Sequence, residues 1–380
     1  MKKILEFLKN EPMLTVSIAA AAAALFITPP SPKLLTDIDW RTLGTLFMML
    51  TVLEGFKKEN IFLPILKLAG NINTMVGISL FLVFSVFFSS MFVTNDVSLI
   101  IFVPLTIILF RAGNKEKYIL PVISMENIAA VRGSLLTPFG SPQNLFIYGQ
   151  SGVSAARFIF YMFPIWLISG VLLIIFVTAL YCKDIKQETG IKQFDFLGSQ
   201  DEQRKRHRFA YLAVFTLVII TIVTRTELWY CAVLIVAAAI FIIDKHILLK
   251  TDYVLLLTFF CFFIFSSSVA SNESISAFLK ANVAGHEYVW SILLSQIISN
   301  VPASIVLYPF AANKGALLYG LDSAGLCTLI GSLASVINYR LYVREFPQSG
   351  KKFIKIFTLV SLAFFAFVVV PGYLISRSPL

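Results

Sequence analysis

The chain has 380 residues, of which 58% are hydrophobic and only 14% are charged, and its formal net charge is +10. The mean hydropathy of +0.83 excludes an ordinary soluble domain and indicates an all-α polytopic membrane protein. The cations lie between apolar segments and form no basic and aromatic patch, so we expect membrane lipid and not nucleic acid as a partner.

The first half of the chain, residues 1–181, contains the first group of predicted membrane segments. They are spans at 13–28, 40–55 and 158–181, a hairpin at 75–110, and an interrupted span at 118–148. The basic start and apolar run of the first 30 residues also fit a cleaved signal peptide. We favour an uncleaved span, because further spans follow and the internal repeat described below uses it.

A charged stretch at 182–208 follows and predicts a solvated cytoplasmic linker. The linking span at 209–223 comes next. The second half, residues 228–380, contains predicted spans at 228–243, 253–269, 324–343 and 354–375, a short amphipathic helix within 271–287, and a second hairpin at 289–312. The total is nine full spans and two re-entrant hairpins. Asp39 and Asp252 each precede an apolar span, where we expect helix capping.

The distribution of positive charge predicts the orientation of these segments, since cytoplasmic loops carry the excess of Lys and Arg. Basic residues precede the first span (Lys2, Lys3, Lys9), fill the linker (Lys183, Lys186, Lys192, Arg204, Lys205, Arg206, Arg208) and flank the first hairpin on both sides (Lys57, Lys58, Lys67, Arg111, Lys115, Lys117). The second hairpin is flanked only by Lys280 and Lys314. The first hairpin therefore enters from the cytoplasm and the second from outside, with the N-terminus inside and the C-terminus outside a cytoplasmic (inner) membrane.

Polar residues interrupt both hairpins at corresponding points. Thr94, Asn95 and Asp96 break the first, and Ser299 and Asn300 break the second. Asn95 and Asn300 are 300 − 95 = 205 residues apart, and Pro104 and Pro309 share that offset. A membrane interior tolerates such breaks only where they are buried in protein or line a cavity. The pattern predicts two copies of one element that contribute to a substrate or ion site.

The spans after the hairpins are also interrupted. Two glycines and two prolines within 133–144 exclude a continuous helix. Three residues of this segment recur in the second half at an offset of 191 (328 − 137), which pairs Thr137, Gly140 and Ser141 with Thr328, Gly331 and Ser332. Carbonyl groups freed by such breaks face a cation, and helix N-termini beyond them face an anion.

Each half contains four full spans, and the additional crossing at 209–223 inverts the second copy relative to the first. Inverted repeats with broken helices that meet near the membrane midplane are typical of secondary transporters. The architecture therefore predicts transport.

Four motifs carry a family resemblance: TNDVSLIIFVPL, GSLLTPFGSPQN, SQIISNVPASIVLYPF and GLCTLIGSLAS. They resemble the hairpin tips and unwound helices of the ion transporter superfamily, particularly its citrate-transporter-like and divalent anion:sodium symporter permeases, which are related to arsenite permeases and sodium/proton antiporters. The resemblance implies an elevator-type homodimer. It also implies a first site that includes Thr94, Asn95, Thr137 and Asn144 and a mirrored site that includes Ser299, Asn300, Thr328 and Ser332.

The chain departs from the Ser-Asn-Thr tips of sodium-coupled relatives, because Asp96 and Val301 stand at the third position. These departures make coupling to two sodium ions less favoured and bring proton coupling, or antiport, into consideration. The coupling ion therefore stays open. Two charged residues also lie in the interrupted span. Glu126 is a candidate proton carrier and Arg132 a candidate anion contact, unless the two only pair with each other or Arg132 snorkels to the membrane surface.

We therefore expect a secondary active transporter of a small anion, resembling a di- or tricarboxylate, coupled to sodium or protons. Sodium/proton antiport and efflux of arsenite or another oxyanion are alternatives. An intramembrane hydrolase is disfavoured, because the sequence has no HExxH, no GxSxG and no paired aspartates in its spans. We expect no enzyme activity, no cofactor, and no metal beyond sodium at the same residues. Cys182, Cys231, Cys261 and Cys327 lack metal-ligand spacing.

Overall fold

The computed structural model describes residues 11–28, 33–61, 69, 72–183, 185–190, 202–378 and 380. Within these residues the regular structure is helical, apart from one isolated bridge between Thr74 and Glu188. Several basic residues used to predict orientation, Lys2, Lys3, Lys9, Lys67 and Lys192, lie outside the described residues, as do the side chains of Arg204 and Lys205.

The helices of the first half begin with α1 (Pro12–Ile27), α2 (Lys33–Asp37) and α3 (Trp40–Lys58). The hairpin consists of α4 (Met75–Val93) and α5 (Asn95–Ala112). The interrupted span consists of α6 (Ile119–Gly133) and α7 (Pro142–Ser151), and α8 (Ala155–Leu180) closes this half. Short 3₁₀ turns at Glu116–Tyr118 and Ser134–Leu136 flank α6.

The second half follows a similar order after α9 (Glu202–Thr224) and α10 (Trp229–Lys250). It contains α11 (Tyr253–Ser271), α12 (Glu273–Val283), the hairpin helices α13 (Glu287–Ile298) and α14 (Asn300–Leu307), the interrupted pair α15 (Lys314–Ala324) and α16 (Leu333–Glu345), and α17 (Gly350–Ser376). Eight helical stretches of the described residues are long and apolar enough to cross a membrane. The predicted all-α polytopic membrane protein is confirmed.

Side-chain caps fix where several helices begin. Asp39 accepts a hydrogen bond from the backbone N–H of Thr42 at 2.9 Å, and Asp252 accepts one from Leu255 at 2.9 Å. Each carboxylate satisfies a backbone donor that the first helical turn leaves unpaired. The expected capping roles of these two aspartates are confirmed.

A single residue separates the two helices of each hairpin. Thr94 separates α4 from α5, and Ser299 separates α13 from α14. In the first hairpin the hydroxyl groups of Ser89 and Ser98, on opposite sides of the turn, are 2.9 Å apart. The two arms therefore pack side by side immediately below the tip.

The second interrupted segment begins earlier than the sequence suggested. We placed it at 324–343, whereas its first helix, α15, begins at Lys314 and its second, α16, ends at Glu345. Asn313 caps α15 by accepting from the N–H of Ala316 at 3.0 Å. Lys314, two glycines and Asp322 reduce the apolar character of α15, so hydropathy alone does not indicate a membrane helix there.

The two interrupted segments cross, so that the first helix of each packs against the second helix of the other. On one side, Asn127 of α6 donates to the Ser335 hydroxyl of α16 at 3.1 Å, and Asn338 donates to the Ile123 carbonyl at 2.7 Å. On the other side, Gln143 of α7 donates to the carboxylate of Asp322 in α15 at 3.1 Å. This crossed arrangement brings residues 179 to 215 positions apart into the same buried core.

Close packing of α6 against the first hairpin requires a glycine at position 133. A Cβ atom there would overlap the Phe87 carbonyl oxygen, which belongs to helix backbone and has little room to move. We predict that Gly133→Ala lowers the stability of the purified protein by about 1–3 kcal/mol, the usual cost of overpacking. Thermal unfolding in detergent measures the change.

Gly170→Ala is the matched control, because its Cβ would lie 3.6 Å from the ring of the same Phe87, at ordinary contact distance. It should unfold close to the wild-type temperature. Equal unfolding temperatures for wild type and Gly133→Ala would contradict the packing described here.

Candidate functional site

The two hairpin tips share one unusual backbone conformation. Thr94 has φ 68° and ψ 157°, and Ser299 has φ 70° and ψ 157°. Almost only glycine occupies this region, and another residue there costs about 1–3 kcal/mol. Both copies nevertheless carry a hydroxyl residue at this point. Strain retained at both tips indicates that the hydroxyl side chains have a use beyond making the turn.

The two unwound loops also share a conformation. Gly140 N–H donates to the Thr137 carbonyl at 3.3 Å, and Gly331 N–H donates to the Thr328 carbonyl at 3.2 Å. Ser141 and Ser332 then adopt nearly the same extended conformation, with φ of −149° and −148°. The predicted alignment at offset 191 thus pairs residues with equal local geometry.

Each unwound loop docks on the hairpin of its own half. Thr137 donates its hydroxyl proton to the Met91 carbonyl in the last turn of α4. In the second half, the Asn300 N–H donates to the Gly331 carbonyl at 3.2 Å, and the Asn300 side chain donates to the Leu321 carbonyl at 3.4 Å. In the first half the loop donates to the hairpin, and in the second half the hairpin tip donates to the loop and to α15. In both halves the contact pairs a backbone carbonyl inside the protein.

Gln296 reinforces the contact between the second hairpin and its unwound loop. The sequence analysis had not assigned this residue to a site. Its amide donates to the Ala324 carbonyl at 3.2 Å, and its oxygen accepts from the Thr328 hydroxyl at 2.8 Å. Gln296 lies one helical turn before Asn300 in an otherwise apolar run. That position was a detectable signal, since a polar side chain in an apolar helix needs a partner inside the protein.

A cavity of about 470 Å³ receives residues from both hairpin tips. Asp96 of the first tip and Ser299 and Val301 of the second border it. Most of the remaining wall is apolar and comes from α1, α11 and α16. A few polar groups on an apolar wall are typical of a small-molecule site. Of the predicted site residues, only Asp96 and Ser299 line this cavity in the part of the chain that the structure describes.

The cavity also contains charged residues that we had not assigned to a site. They are Glu11, Asp252 and Arg340. Asp252 and Asp96 are close enough for their charges to interact. Asp252 therefore borders this cavity in addition to capping α11, and sequence alone gives no signal for that proximity across 156 residues (252 − 96).

The other predicted residues lie in the packed interior, except Thr328, which is exposed. Asn95 accepts from the N–H of Asp96 at 2.9 Å, and the Asn144 side chain donates to the Leu135 carbonyl at 3.3 Å. Glu126 accepts a hydrogen bond from the Thr106 hydroxyl of α5, while Arg132 donates to Ser169 at 2.9 Å. Glu126 and Arg132 thus have separate partners, and the alternative in which they only pair with each other is wrong.

Arg132 also contacts Asp322, which, like Gln143, sequence reasoning missed. It donates to the backbone carbonyl of Asp322 at 3.3 Å, and Asp322 in turn accepts from Gln143. No group of three or more His, Cys, Asp or Glu residues that could hold a metal ion occurs among the described residues.

Comparisons with known proteins agree on a transport family. Residues 7–325 match the family model described as Citrate transporter. The chain is 30% identical to Inner membrane protein YbiR of Escherichia coli (strain K12), with 89% of each chain covered. It is also 30% identical to Uncharacterized transporter MJ0456 of Methanocaldococcus jannaschii, over 80% of this chain and 81% of that one. The family match includes both hairpins, the first unwound loop and α15.

The strained tips generate a test of stability. We predict that Ser299→Gly keeps the turn, removes the unfavourable backbone energy and raises the unfolding temperature, for a net gain of roughly 1 kcal/mol after the entropy cost of glycine. Thermal unfolding of the purified protein measures it. Asn60→Gly is the control, because asparagine tolerates its φ of 48°. A lower unfolding temperature for Ser299→Gly would contradict backbone strain at the tip.

Proposed function

Because the chain belongs to the citrate transporter family, we propose that it is a secondary active transporter that moves a small anion, of the di- or tricarboxylate type, across the cytoplasmic membrane. A sodium or proton gradient drives the movement in this proposal. The assignment of this chain as a membrane transporter, without a named substrate, follows from the family and from relatives named as a membrane protein and a transporter. The observation that carries the finer proposal is the cavity bordered by both strained hairpin tips.

The groups in and behind the cavity suit a small carboxylate. Arg340 supplies a positive charge at the wall, and the Ser299 hydroxyl supplies a hydrogen-bond donor at the tip. Cations and hydroxyl donors pair well with carboxylate oxygens. The apolar remainder of the wall fits the carbon chain of such a substrate and excludes water from it.

Glu11, Asp252 and Arg340 line the cavity, and the chain segments that carry them are predicted to lie on the cytoplasmic side. On the opposite side, Arg225 lies over the ring of Tyr148, 3.8 Å from its centre, and donates to the Tyr148 carbonyl. The Tyr148 hydroxyl donates to the Val223 carbonyl at 3.0 Å. We infer an inward-facing state in which these contacts close the outer route.

We propose the rest of the architecture on the same basis. The matched dihedral angles of the two tips and of the two loops support an inverted repeat. Large side chains such as Phe160, Phe209 and Ile242 are more than 75% exposed and suit contact with lipid. Elevator movement and a homodimer follow from the family resemblance.

Uptake by reconstituted protein tests the function. In proteoliposomes with sodium and proton gradients imposed separately, we expect accumulation of radiolabelled citrate or succinate under one of the two gradients. We predict that Asn300→Ala reduces this uptake at least tenfold, because it removes the side-chain donor that holds the tip on the Leu321 carbonyl. Asn95→Ala should have a similar effect.

Asn282→Ala is the matched control, because Asn282 is exposed on α12 and its side chain donates to the Phe278 carbonyl of that same helix. It should transport normally. Normal uptake by a folded Asn300→Ala protein would remove Asn300 from the site, and absence of uptake by wild type under both gradients would remove the carboxylate assignment.

Sodium/proton antiport is a second candidate, and one observation favours it. Asp96 and Asp252 approach each other across the cavity, and the Asp96 Oδ1 atom is buried without a hydrogen-bond partner. Two carboxylates that face one cavity attract cations and disfavour a multiply charged anion.

We predict that Asp96→Asn separates the two candidates. For antiport, the variant should lose sodium-dependent proton movement, measured with a pH-sensitive dye inside the vesicles. For anion transport, the same variant should retain uptake of the labelled carboxylate, since an amide preserves the shape of the tip and removes a repulsive charge. Sodium-driven proton movement by Asp96→Asn equal to wild type would exclude antiport through this residue.

A further inference from the structure

Four buried polar side chains meet where α7 crosses α15, away from the cavity of the hairpin tips. They are Arg132, Gln143, Asn144 and Asp322, and none is more than 2% exposed. Gln143 donates to Asp322 Oδ1 at 3.1 Å, and the Asn144 side chain also interacts with the Asp322 carboxyl group. Charged residues inside a membrane protein are expensive to bury and generally serve a function.

Unpaired acceptor atoms outnumber unpaired donor atoms in the cluster, three to one, the donor being Arg132 Nη2. Asp322 Oδ2, Gln143 Oε1 and Asn144 Oδ1 are all buried without a partner. Rotating the two amide groups would not help, because their NH₂ groups already donate to Asp322 Oδ1 and to the carbonyls of Ser134 and Leu135. One proton on Asp322 would turn an unpaired acceptor into a donor, which could then bond to an unpaired amide oxygen.

The charge of Arg132 does not lock the carboxylate in its ionised form by direct contact. Its guanidinium donates to the Ser169 hydroxyl and to the backbone carbonyl of Asp322. A bidentate ion pair would hold both groups permanently charged. The observed arrangement leaves Oδ2 free to gain or lose a proton.

Few other titratable groups face the cluster. Tyr288 of α13 and Tyr319 of α15 lie close enough to Arg132 for electrostatic interaction, and Cys327 of the second unwound loop lies close to Tyr288. Tyr373 of α17 packs on the ring of Tyr288 at 5.6 Å, and α14 has no titratable residue. Asp322 is the only carboxylate among these groups, so it is the acidic group at the crossing of the two interrupted helices.

We propose that Asp322 binds and releases the proton that this transporter couples to its substrate. A proton from one side of the membrane forms an O–H bond at Oδ2, and the neutral carboxyl group donates to an amide oxygen of Gln143 or Asn144. Release to the other side restores the carboxylate, so that one proton crosses per cycle. A metal ion would need more oxygen ligands than these three and would lie beside the Arg132 guanidinium. This inference rests on the proposed transport function.

The cluster is connected both to the tip and to a second cavity. The Leu321 carbonyl, next to Asp322 in the chain, accepts from Asn300 at the second hairpin tip. On the predicted outer side, Tyr288 borders a cavity of about 550 Å³, and its hydroxyl donates to Ser323 at 3.3 Å. The hydroxyl groups of Tyr288 and Ser323 thus connect this cavity to the residue beside Asp322. The second hairpin tip contacts the backbone of the same helix, α15, through Asn300.

An infrared measurement tests protonation without requiring transport. Difference spectra of the purified protein between acidic and neutral pH should contain the C=O band of a buried neutral carboxyl group, and Asp322→Asn should remove it. Asp37→Asn, at an exposed residue outside the membrane core, should retain the band. A band unchanged in Asp322→Asn, or absent from wild type, would overturn the proposal.

A flux measurement tests coupling. Asp322→Asn resembles the protonated residue, so it should exchange internal for external labelled substrate at the wild-type rate and lose at least tenfold of its proton-driven net uptake. Asp322→Glu should recover part of the net uptake. Three results would contradict the proposal. A folded Asp322→Asn protein could lose exchange as well as net uptake, or it could keep the proton-driven net uptake of wild type. Wild type could also show net uptake driven by sodium alone. If wild type moves no carboxylate, the proposed function fails, and the infrared result still decides whether Asp322 titrates.

Discussion

The structure depends on one constraint: a backbone that breaks inside an apolar environment must find its hydrogen-bond partners within the protein. Here the polar groups at each hairpin form hydrogen bonds with the unwound loop of the same half. The Asn300 N–H reaches the Gly331 carbonyl, and the Thr137 hydroxyl reaches the Met91 carbonyl. Hairpin and loop are therefore stable as a pair, and movement of one alone would leave buried polar groups unpaired. This constraint favours transport by displacement of the hairpins and loops together.

The sequence allowed the positions of the breaks to be predicted, because they depend on local chemistry. Glycine, proline and short polar residues in apolar runs mark both tips and both loops, and the four motifs were sufficient for a family resemblance that the comparison confirms. The equal dihedral angles at Thr94 and Ser299 were not predictable, since serine and threonine rarely adopt them. Only the surrounding packing holds these residues there.

Contacts between the two halves could not be predicted from the sequence either. Gln143 and Asp322 lie 179 residues apart, and α15 lacks the hydropathy of a membrane helix, so Asp322 had been assigned to no site. The offset between the two halves changes from 205 at the tips to 191 at the loops, because the two halves differ in length between tip and loop. The chain between tip and loop is 45 residues in the first half (140 − 95) and 31 in the second (331 − 300), because α5 has 18 residues and α14 has only 8.

Both hairpin tips border one cavity, and we propose that it holds the solute and opens towards the cytoplasm. Cysteine labelling tests it most directly. Ile330 borders the cavity and is half exposed, so Ile330→Cys, with the four native cysteines replaced, should react with a membrane-impermeant maleimide added to the cytoplasmic face of vesicles. Citrate or succinate should slow this reaction. Reaction only from the outer face, or at a rate that neither carboxylate changes, would contradict the account.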